Sequence, residues 1–374
     1  MNVFYTGEIQ VVYKEQKYNM IFDTGSTDIF LNSVLCKDIG YQKGNQYNST
    51  LSPTYKNIDA ETYSYFGSGE IGGKMAIDTF FVSGQEVKKV QFFQITKDFG
   101  QAFESGQFDG LIGLAFPQLS GNQKTIVDYM KYQGLIKEKK FSFYLDRKNE
   151  SKESYLDFGK VDKKIVDGEI NYHQVANPLY WSILAEGFLL NDYDIGLCSN
   201  DHKCVLMIDS GTSLVTGPSQ DMQILTQYLN DQGLQCKDIS QMPTLTFIID
   251  KIYYHIQPEE YVITFKGIEQ SVYEHNKNPT ECINGLLPMD IQDTLLDSFW
   301  IIGDLIMSKY LTIFDMDKLR VGFGKLKSYD KDFYEDLNFK KNILNFFFLI
   351  IKNYIQILGI SKQSNLQFFH KKPA

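Results

Sequence analysis

Proline is scarce, at 9 among 374 residues, which argues against a collagenous or linker-rich chain. Arginine is scarcer still, since Arg147 and Arg320 stand against an abundance of lysine. Positive charge is outweighed: 37 Lys and Arg face 46 Asp and Glu, a formal charge of −9. Phosphate binding needs a positive field, so this balance argues against a nucleic-acid partner. The five histidines (173, 202, 255, 275 and 370) are scattered, and no metal-ligand cluster emerges from them. None of the five cysteines forms a C-x-x-C pair, which weakens a structural-zinc or thioredoxin-like reading.

Those cysteines leave two readings open. Cys198 with Cys204 closes a short loop and Cys236 with Cys282 a longer one, leaving Cys36 over; alternatively all five are reduced, buried thiols. Near the N-terminus the run MNVFYTGEIQVVY has strand character. It shows no basic stretch followed by an apolar one, so no secretory leader is visible. The expectation is a cytosolic protein or a chain whose true start lies upstream. Two sequons, at Asn48 and Asn149, instead fit a glycoprotein on a secretory route.

Apolar residues make up 43% and aromatic ones 14%, with 28 Phe and 24 Tyr, which favours strands. The length exceeds what one core usually serves, so two domains or one large bilobal unit are expected. From about Ser328 the composition shifts. Residues 343–360 are apolar except for Asn345, Lys352, Asn353, Gln356 and Gly359. A spanning helix needs about 20 mainly apolar residues, and a central lysine costs roughly 2.5–3.5 kcal/mol. The tail, 328–374, therefore reads as a hydrophobic anchor, an amphipathic segment or a disordered one.

Internal repetition is the strongest signal. Met20-Ile21-Phe22 leads into Asp23-Thr24-Gly25-Ser26, and Leu206-Met207-Ile208 leads into Asp209-Ser210-Gly211-Thr212-Ser213. At nearly the same interval downstream come Leu111-Ile112-Gly113 and Ile301-Ile302-Gly303. Two halves with one order of parts suggest two similar lobes, here 1–175 and 176–327. Between the motifs, residues 87–96, 140–145 and 244–249 read as strands. Helical spacing of Met222, Leu225 and Leu229 marks a helix over 218–230, with Ser219 or Asp221 as its cap and Gly233 past its end. A shorter helix is expected over 125–132. The fold class is all-β with minor helices.

A lone D-T-G is weak, because an Asx-type turn at a strand end explains it. Two copies in matching contexts point to a pair of loops meeting across a pseudo-twofold axis. Gly25 and Gly211 would permit close backbone approach. Ser26 and Thr212 would hold the outer carboxylate oxygens of Asp23 and Asp209. Two carboxylates so close share one proton over a wide acidic range, which supplies an acid and a base together. Such a pair suits amide hydrolysis by an activated water, with no metal and no cofactor.

The motifs resemble those of the pepsin-like aspartic endopeptidases, the pepsin and cathepsin D family. The match runs from about Phe4 to Lys325. It rests on Tyr5-x-Gly7-x-Ile9, Phe22-Asp23-Thr24-Gly25-Ser26, Phe108-Asp109-Gly110-Leu111-Ile112-Gly113-Leu114 and Tyr180-Trp181. It continues through Ile208-Asp209-Ser210-Gly211-Thr212-Ser213, Trp300-Ile301-Ile302-Gly303-Asp304, Phe314-Asp315 and Val321-Gly322-Phe323. The resemblance implies a bilobal β fold with a central cleft and Asp23 and Asp209 as catalytic dyad. It implies dyad support from Thr24, Gly25, Ser26, Ser210, Gly211 and Thr212. A flap hairpin falls on 66–73, where the amides of Gly67 and Ser68 bind substrate backbone. Substrate subsites carry over to Ile21, Phe103, Phe108 and Leu111, with Met289 on the primed side.

Two positions depart from the family pattern. The usual flap tyrosine aligns with Phe66, and the usual tryptophan after the first aspartate is Phe30. In the family those side chains hydrogen-bond at the flap base. Losing both partners together can be nearly neutral, so the pair reads as a substituted aromatic contact beside the subsites. Cys198, Cys204, Cys236 and Cys282 match the family's two C-terminal bridges, whereas the partner position of Cys36 is Tyr41.

The implied function is an acid endopeptidase cutting peptides and proteins between bulky apolar residues, inhibited by pepstatin-type compounds and monomeric. A lysosome, an acidic digestive vacuole or secretion is the matching location, and membrane contact follows only if the tail is an anchor. An inactive binding protein with the same cleft is disfavoured by the intact D-T-G-S and D-S-G-T sets. A two-carboxylate glycosidase, whose carboxyls stand further apart, suits the tandem motif poorly.

Overall fold

The computed structural model describes residues 5–12, 16–37, 44–66, 69–98, 108–145, 154–199, 201–236, 238–264, 282–290 and 299–327. Gly67, Ser68, Phe103, Asn149 and the tail from 328 onward lie outside that set, as does the side chain of Phe66. The architecture is mainly β with few helices.

Seven strands form the N-terminal sheet, in the order Thr6–Val11, Gln16–Asp23, Gly110–Gly113, Ile29–Leu31, Gln85–Asp98, Gly69–Val82 and Lys56–Phe66. The first strand also pairs with Gly69–Val82, Ile9 opposite Val82, which closes the sheet on itself. Lys56–Phe66 and Gly69–Val82 pair antiparallel, with Phe66 opposite Gly69.

The C-terminal half builds a five-stranded sheet in the order Ser182–Ala185, Cys204–Ile208, Phe299–Ile302, Val215–Gly217 and Leu286–Pro288. A four-stranded sheet of Tyr193–Asp194, Gly187–Leu190, Leu245–Ile249 and Ile252–Ile256 lies with it. Val262–Thr264 pairs antiparallel with Cys282–Asn284. A further antiparallel sheet combines chain from both halves: Val166–Gln174, Arg320–Leu326, Tyr310–Asp315, Lys140–Tyr144 and Tyr155–Phe158.

The sequence repeat is a repeat of pairing. Gln16–Asp23 lies parallel to Gly110–Gly113, with Asp23 opposite Gly113. Cys204–Ile208 lies parallel to Phe299–Ile302, with Ile208 opposite Ile302. In each half a third strand then pairs antiparallel with the second, Phe30 opposite Leu111 and Val215 opposite Ile302. Gly113 and Gly303 are glycines because a Cβ would collide with the aspartate loop, 2.2 Å from the Thr27 carbonyl carbon and 1.7 Å from the Thr212 oxygen.

An aromatic group joins the halves beneath these loops. Trp181 packs on Phe116 at 4.3 Å, Phe314 at 5.0 Å and Phe141 at 5.7 Å between ring centroids. Its indole nitrogen donates to the Leu114 carbonyl at 2.8 Å, which satisfies the polar edge of a fully buried ring.

Both expected helices form, as Ile126–Tyr132 and Ser219–Asp231. Thr125 and Asp128 cap the first in a reciprocal box. Met222, Leu225 and Leu229 bury the inner face of the second. Its start differs from the expected Ser219 or Asp221 cap. Pro218 holds the cap position without a side-chain bond. The Ser219 amide and hydroxyl instead donate to Asp290, at 2.8 and 2.7 Å. Asp221 sits in the first turn and accepts from the Trp300 indole at 3.1 Å. A carboxylate from a distant segment thus does the capping, which local sequence does not reveal.

Disulfides join Cys198 to Cys204 and Cys236 to Cys282, while Cys36 is buried outside both. Among the described residues no helix is long and apolar enough to cross a membrane.

Candidate active site

Asp23 ends its strand and Asp209 follows the matching one directly. Side chains alternate along a strand, and that sorts each half into two faces. Phe22, Leu206 and Ile208 join the main core, whereas Ile21 and Met207 share the faces of the two aspartates. Around Ile21 gather Phe30, Ile71, Phe93, Ile95 and Phe108. Around Met207 gather Val205, Phe299 and Ile301, with Tyr180 packed on them.

Each carboxylate is held by its own turn. Asp23 accepts from the Gly25 amide at 2.9 Å through Oδ1 and from the Ser26 hydroxyl at 2.5 Å through Oδ2. Asp209 accepts from the Gly211 amide at 2.8 Å and the Thr212 hydroxyl at 2.5 Å through the same two atoms. The same pair of bonds, amide to Oδ1 and hydroxyl to Oδ2, is thus made in both halves.

Each carboxylate also faces the opposite loop. A Cβ on Gly25 would stand 2.8 Å from Asp209 Oδ1, and one on Gly211 would stand 2.5 Å from Asp23 Oδ1. Thr24 and Ser210 lock the two turns together. The Thr24 hydroxyl donates to the Ile208 carbonyl at 2.8 Å, and the Ser210 hydroxyl to the Phe22 carbonyl at 2.7 Å. Each hydroxyl also receives the other residue's amide, at 3.0 and 2.9 Å.

Both aspartates are nearly buried, at 7% and 6% exposure. The Asp209 carboxyl is pushed well above the usual carboxylate range, first by burial and then by the charge of Asp23. The Thr212 hydroxyl and Gly211 amide pull the other way, by bonding the charged form. The arrangement can hold one proton between two carboxyls and so present an acid beside a base. Among the described residues no set of three His, Cys, Asp or Glu gathers to hold a metal ion.

The remaining expected residues fall as follows. Ile21, Phe30 and Phe108 are buried in the cluster beside Asp23, and Leu111 pairs opposite Ile21. Phe30 stacks on Phe93 with centroids 5.3 Å apart. Met289 is exposed, and its amide donates to the Gly217 carbonyl. Asp109 accepts from the Asn19 and Asn45 amides at 2.8 and 2.6 Å, tying the loop before Tyr47 to the strand of Asp23. Met207 and its neighbours were not singled out from sequence, although the match of Met207 to Ile21 in the repeat was there to find them.

These features recur in known proteins. A model of the eukaryotic aspartyl protease family matches residues 4–326. Gastricsin of Callithrix jacchus is 32% identical over 333 residues, covering 87% of this chain and 82% of that protein. Cathepsin D of Dictyostelium discoideum is 32% identical over 330 residues, covering 86% and 82%. Gastricsin of Homo sapiens is 31% identical over 333 residues, covering 87% and 82%. Paired D-T-G-S and D-S-G-T turns, a family match across the described chain and relatives of this breadth have one reading: the chain belongs to the eukaryotic aspartyl proteases and is an aspartic-type endopeptidase of the pepsin family.

Proposed function

We propose that Asp23 and Asp209 are the catalytic dyad and that the enzyme cleaves proteins at acidic pH between bulky apolar residues. The observation that carries this is the crossed contact of each carboxylate with the other loop's glycine. Two carboxyls so held share a proton, and a water bound between them loses its proton to the ionised partner. The protonated partner donates to the peptide carbonyl oxygen as the water attacks, and a tetrahedral intermediate forms. No covalent bond to the enzyme is required. As pH rises the shared proton is lost, and with it the acid.

Substrate preference follows from the two apolar clusters flanking the dyad. Ile21, Phe30, Phe108 and Leu111 receive the residue on one side of the scissile bond, with Phe103 as a further wall. Met207, Phe299, Ile301 and Tyr180 receive the residue on the other, with Met289 at the rim. The backbone of Gly67 and Ser68, next to Phe66, supplies bonds to an extended peptide. We place the lobe division near residue 175, since the seven-stranded sheet uses strands from Thr6 to Gly113 only. The two disulfides favour a secretory route to an acidic compartment or the exterior. A monomer suffices, because both aspartates come from one chain.

The test is digestion of an acid-denatured protein, with sequencing of the new termini. Large apolar residues on both sides of most cuts are expected, and Asp23→Asn and Asp209→Asn should each abolish cleavage. Cuts dominated by charged residues would refute the specificity, and full activity in either variant would refute the dyad.

A further inference from the structure

Tyr180 and Trp181 are neighbours in sequence and belong to different parts of the packing. Tyr180 packs on the cluster beside Asp209, its ring 5.9 Å from that of Phe299. Trp181 joins the main core and is fully buried. Three separate pieces of chain hold its ring, through Phe116, Phe141 and Phe314. An indole so enclosed cannot turn without moving its neighbours.

The polar atoms of Trp181 tie it to both aspartate turns. The Leu114 amide donates to the Asp23 carbonyl at 2.7 Å. The Leu114 carbonyl accepts from the Trp181 indole nitrogen at 2.8 Å. The Trp181 carbonyl in turn accepts from the amide of Ile208, the residue before Asp209, at 2.9 Å. Three bonds thus lead from one aspartate, through a single residue, to the neighbour of the other. Thr24 and Ser210 join the two turns directly. The Trp181 bonds join them a second time, through the core. Leu114 is itself fully buried, so no water can replace a missing indole donor at its carbonyl.

We propose that Trp181 is a positioning residue for the dyad: its indole N–H holds Leu114, and through it the Asp23 turn, at a fixed separation from the Asp209 turn. This rests on the dyad reading above. Two carboxyls held close lose their protons at well-separated pH values, and the two values approach each other as the groups move apart. Cleavage needs one proton between the pair, so the interval between those values is the interval of activity. A slackened dyad works over a narrower pH range and turns over more slowly.

The experiment compares wild type with Trp181→Phe, which keeps an aromatic ring and removes the donor. A second variant carries benzothienylalanine at 181, which keeps the bicyclic shape with sulfur in place of the N–H. Trp300→Phe is the control. Trp300 is equally buried, but its indole donates to Asp221, in the helix Ser219–Asp231, rather than to a segment bonded to the Asp23 turn. Pepstatin-sensitive cleavage is measured from pH 3 to 8, with kcat and KM separated and native folding checked by far-UV spectrum. Both variants at 181 should lower kcat by about 10-fold with KM close to that of wild type. Both limbs of their pH profiles should move inward by about half a pH unit, while the control keeps the wild-type limits. A folded variant at 181 with wild-type kcat and pH limits overturns the proposal. So does a control that narrows the profile equally, or failure of both variants at 181 to fold. Absence of pepstatin-sensitive cleavage by the wild type at pH 4 would instead count against the dyad reading itself.

Discussion

Thr24 and Ser210 each donate a hydroxyl to the opposite strand's carbonyl and each receive the other's amide, four bonds between 2.7 and 3.0 Å. The two residues stand beside the aspartates, one on each turn, so alignment of the carboxyls depends on contacts between distant parts of the chain. Replacing Thr24 by valine keeps its shape and removes the hydroxyl. The Ile208 carbonyl and Ser210 amide are then left buried without partners, at about 1–3 kcal/mol each. A loss of roughly 3 kcal/mol in denaturant unfolding is expected, together with reduced activity. A loss no larger than that of an exposed substitution would mean the turns are held some other way.

Gly211 leaves no room for a side chain. The Cβ of alanine would stand 2.5 Å from Asp23 Oδ1 and 3.2 Å from Asp209 Oδ1. The carboxyls must move, and a misplacement on the order of 1 Å costs about 100-fold. Gly211→Ala should therefore lower kcat/KM by about 100-fold while the far-UV spectrum stays native. Near-normal kinetics would show that the close approach is not needed.

Burial and Asp23 both favour the neutral form of Asp209. Its stabilising contribution is full below the unfolded carboxyl value and declines as pH rises through the raised folded value. The native chain should thus weaken toward neutrality. Asp209→Asn, though inactive, should melt higher than wild type at pH 7, and the difference should shrink toward pH 4. A difference that is constant with pH would contradict the assignment.

The disulfides close loops of different length, with sequence separations of 46 for Cys236–Cys282 and 6 for Cys198–Cys204. In the chain-entropy account the longer bridge stabilises by about 4 kcal/mol and the shorter by about 2. Paired serine substitutions at each bridge, compared by denaturant unfolding, should rank in that order. The reverse order would point to structure retained in the unfolded state.

How much of this was legible in the sequence depends on whether a contact is local or repeated. The D-T-G-S and D-S-G-T turns, Gly113 and Gly303 could be read because the chain states them twice. The helix Ser219–Asp231 could be read because Met222, Leu225 and Leu229 keep helical spacing. Its cap could not, since Asp290 arrives from a distant segment. The cluster of Val205, Met207, Phe299 and Ile301 was less plain than the turns, for its members come from two strands that look like ordinary core, and the repeat marks only Met207, as the match of Ile21. Only strand alternation, once Asp209 is placed, separates Met207 from Leu206 and Ile208.

The most direct test of the dyad is cleavage of an acid-denatured protein against pH, with and without pepstatin, by wild type, Asp23→Asn and Asp209→Asn. Cleavage that peaks below about pH 5, is stopped by pepstatin and is lost in both variants is the predicted result. Pepstatin-resistant cleavage that persists in either variant, or that grows toward neutral pH, would contradict it.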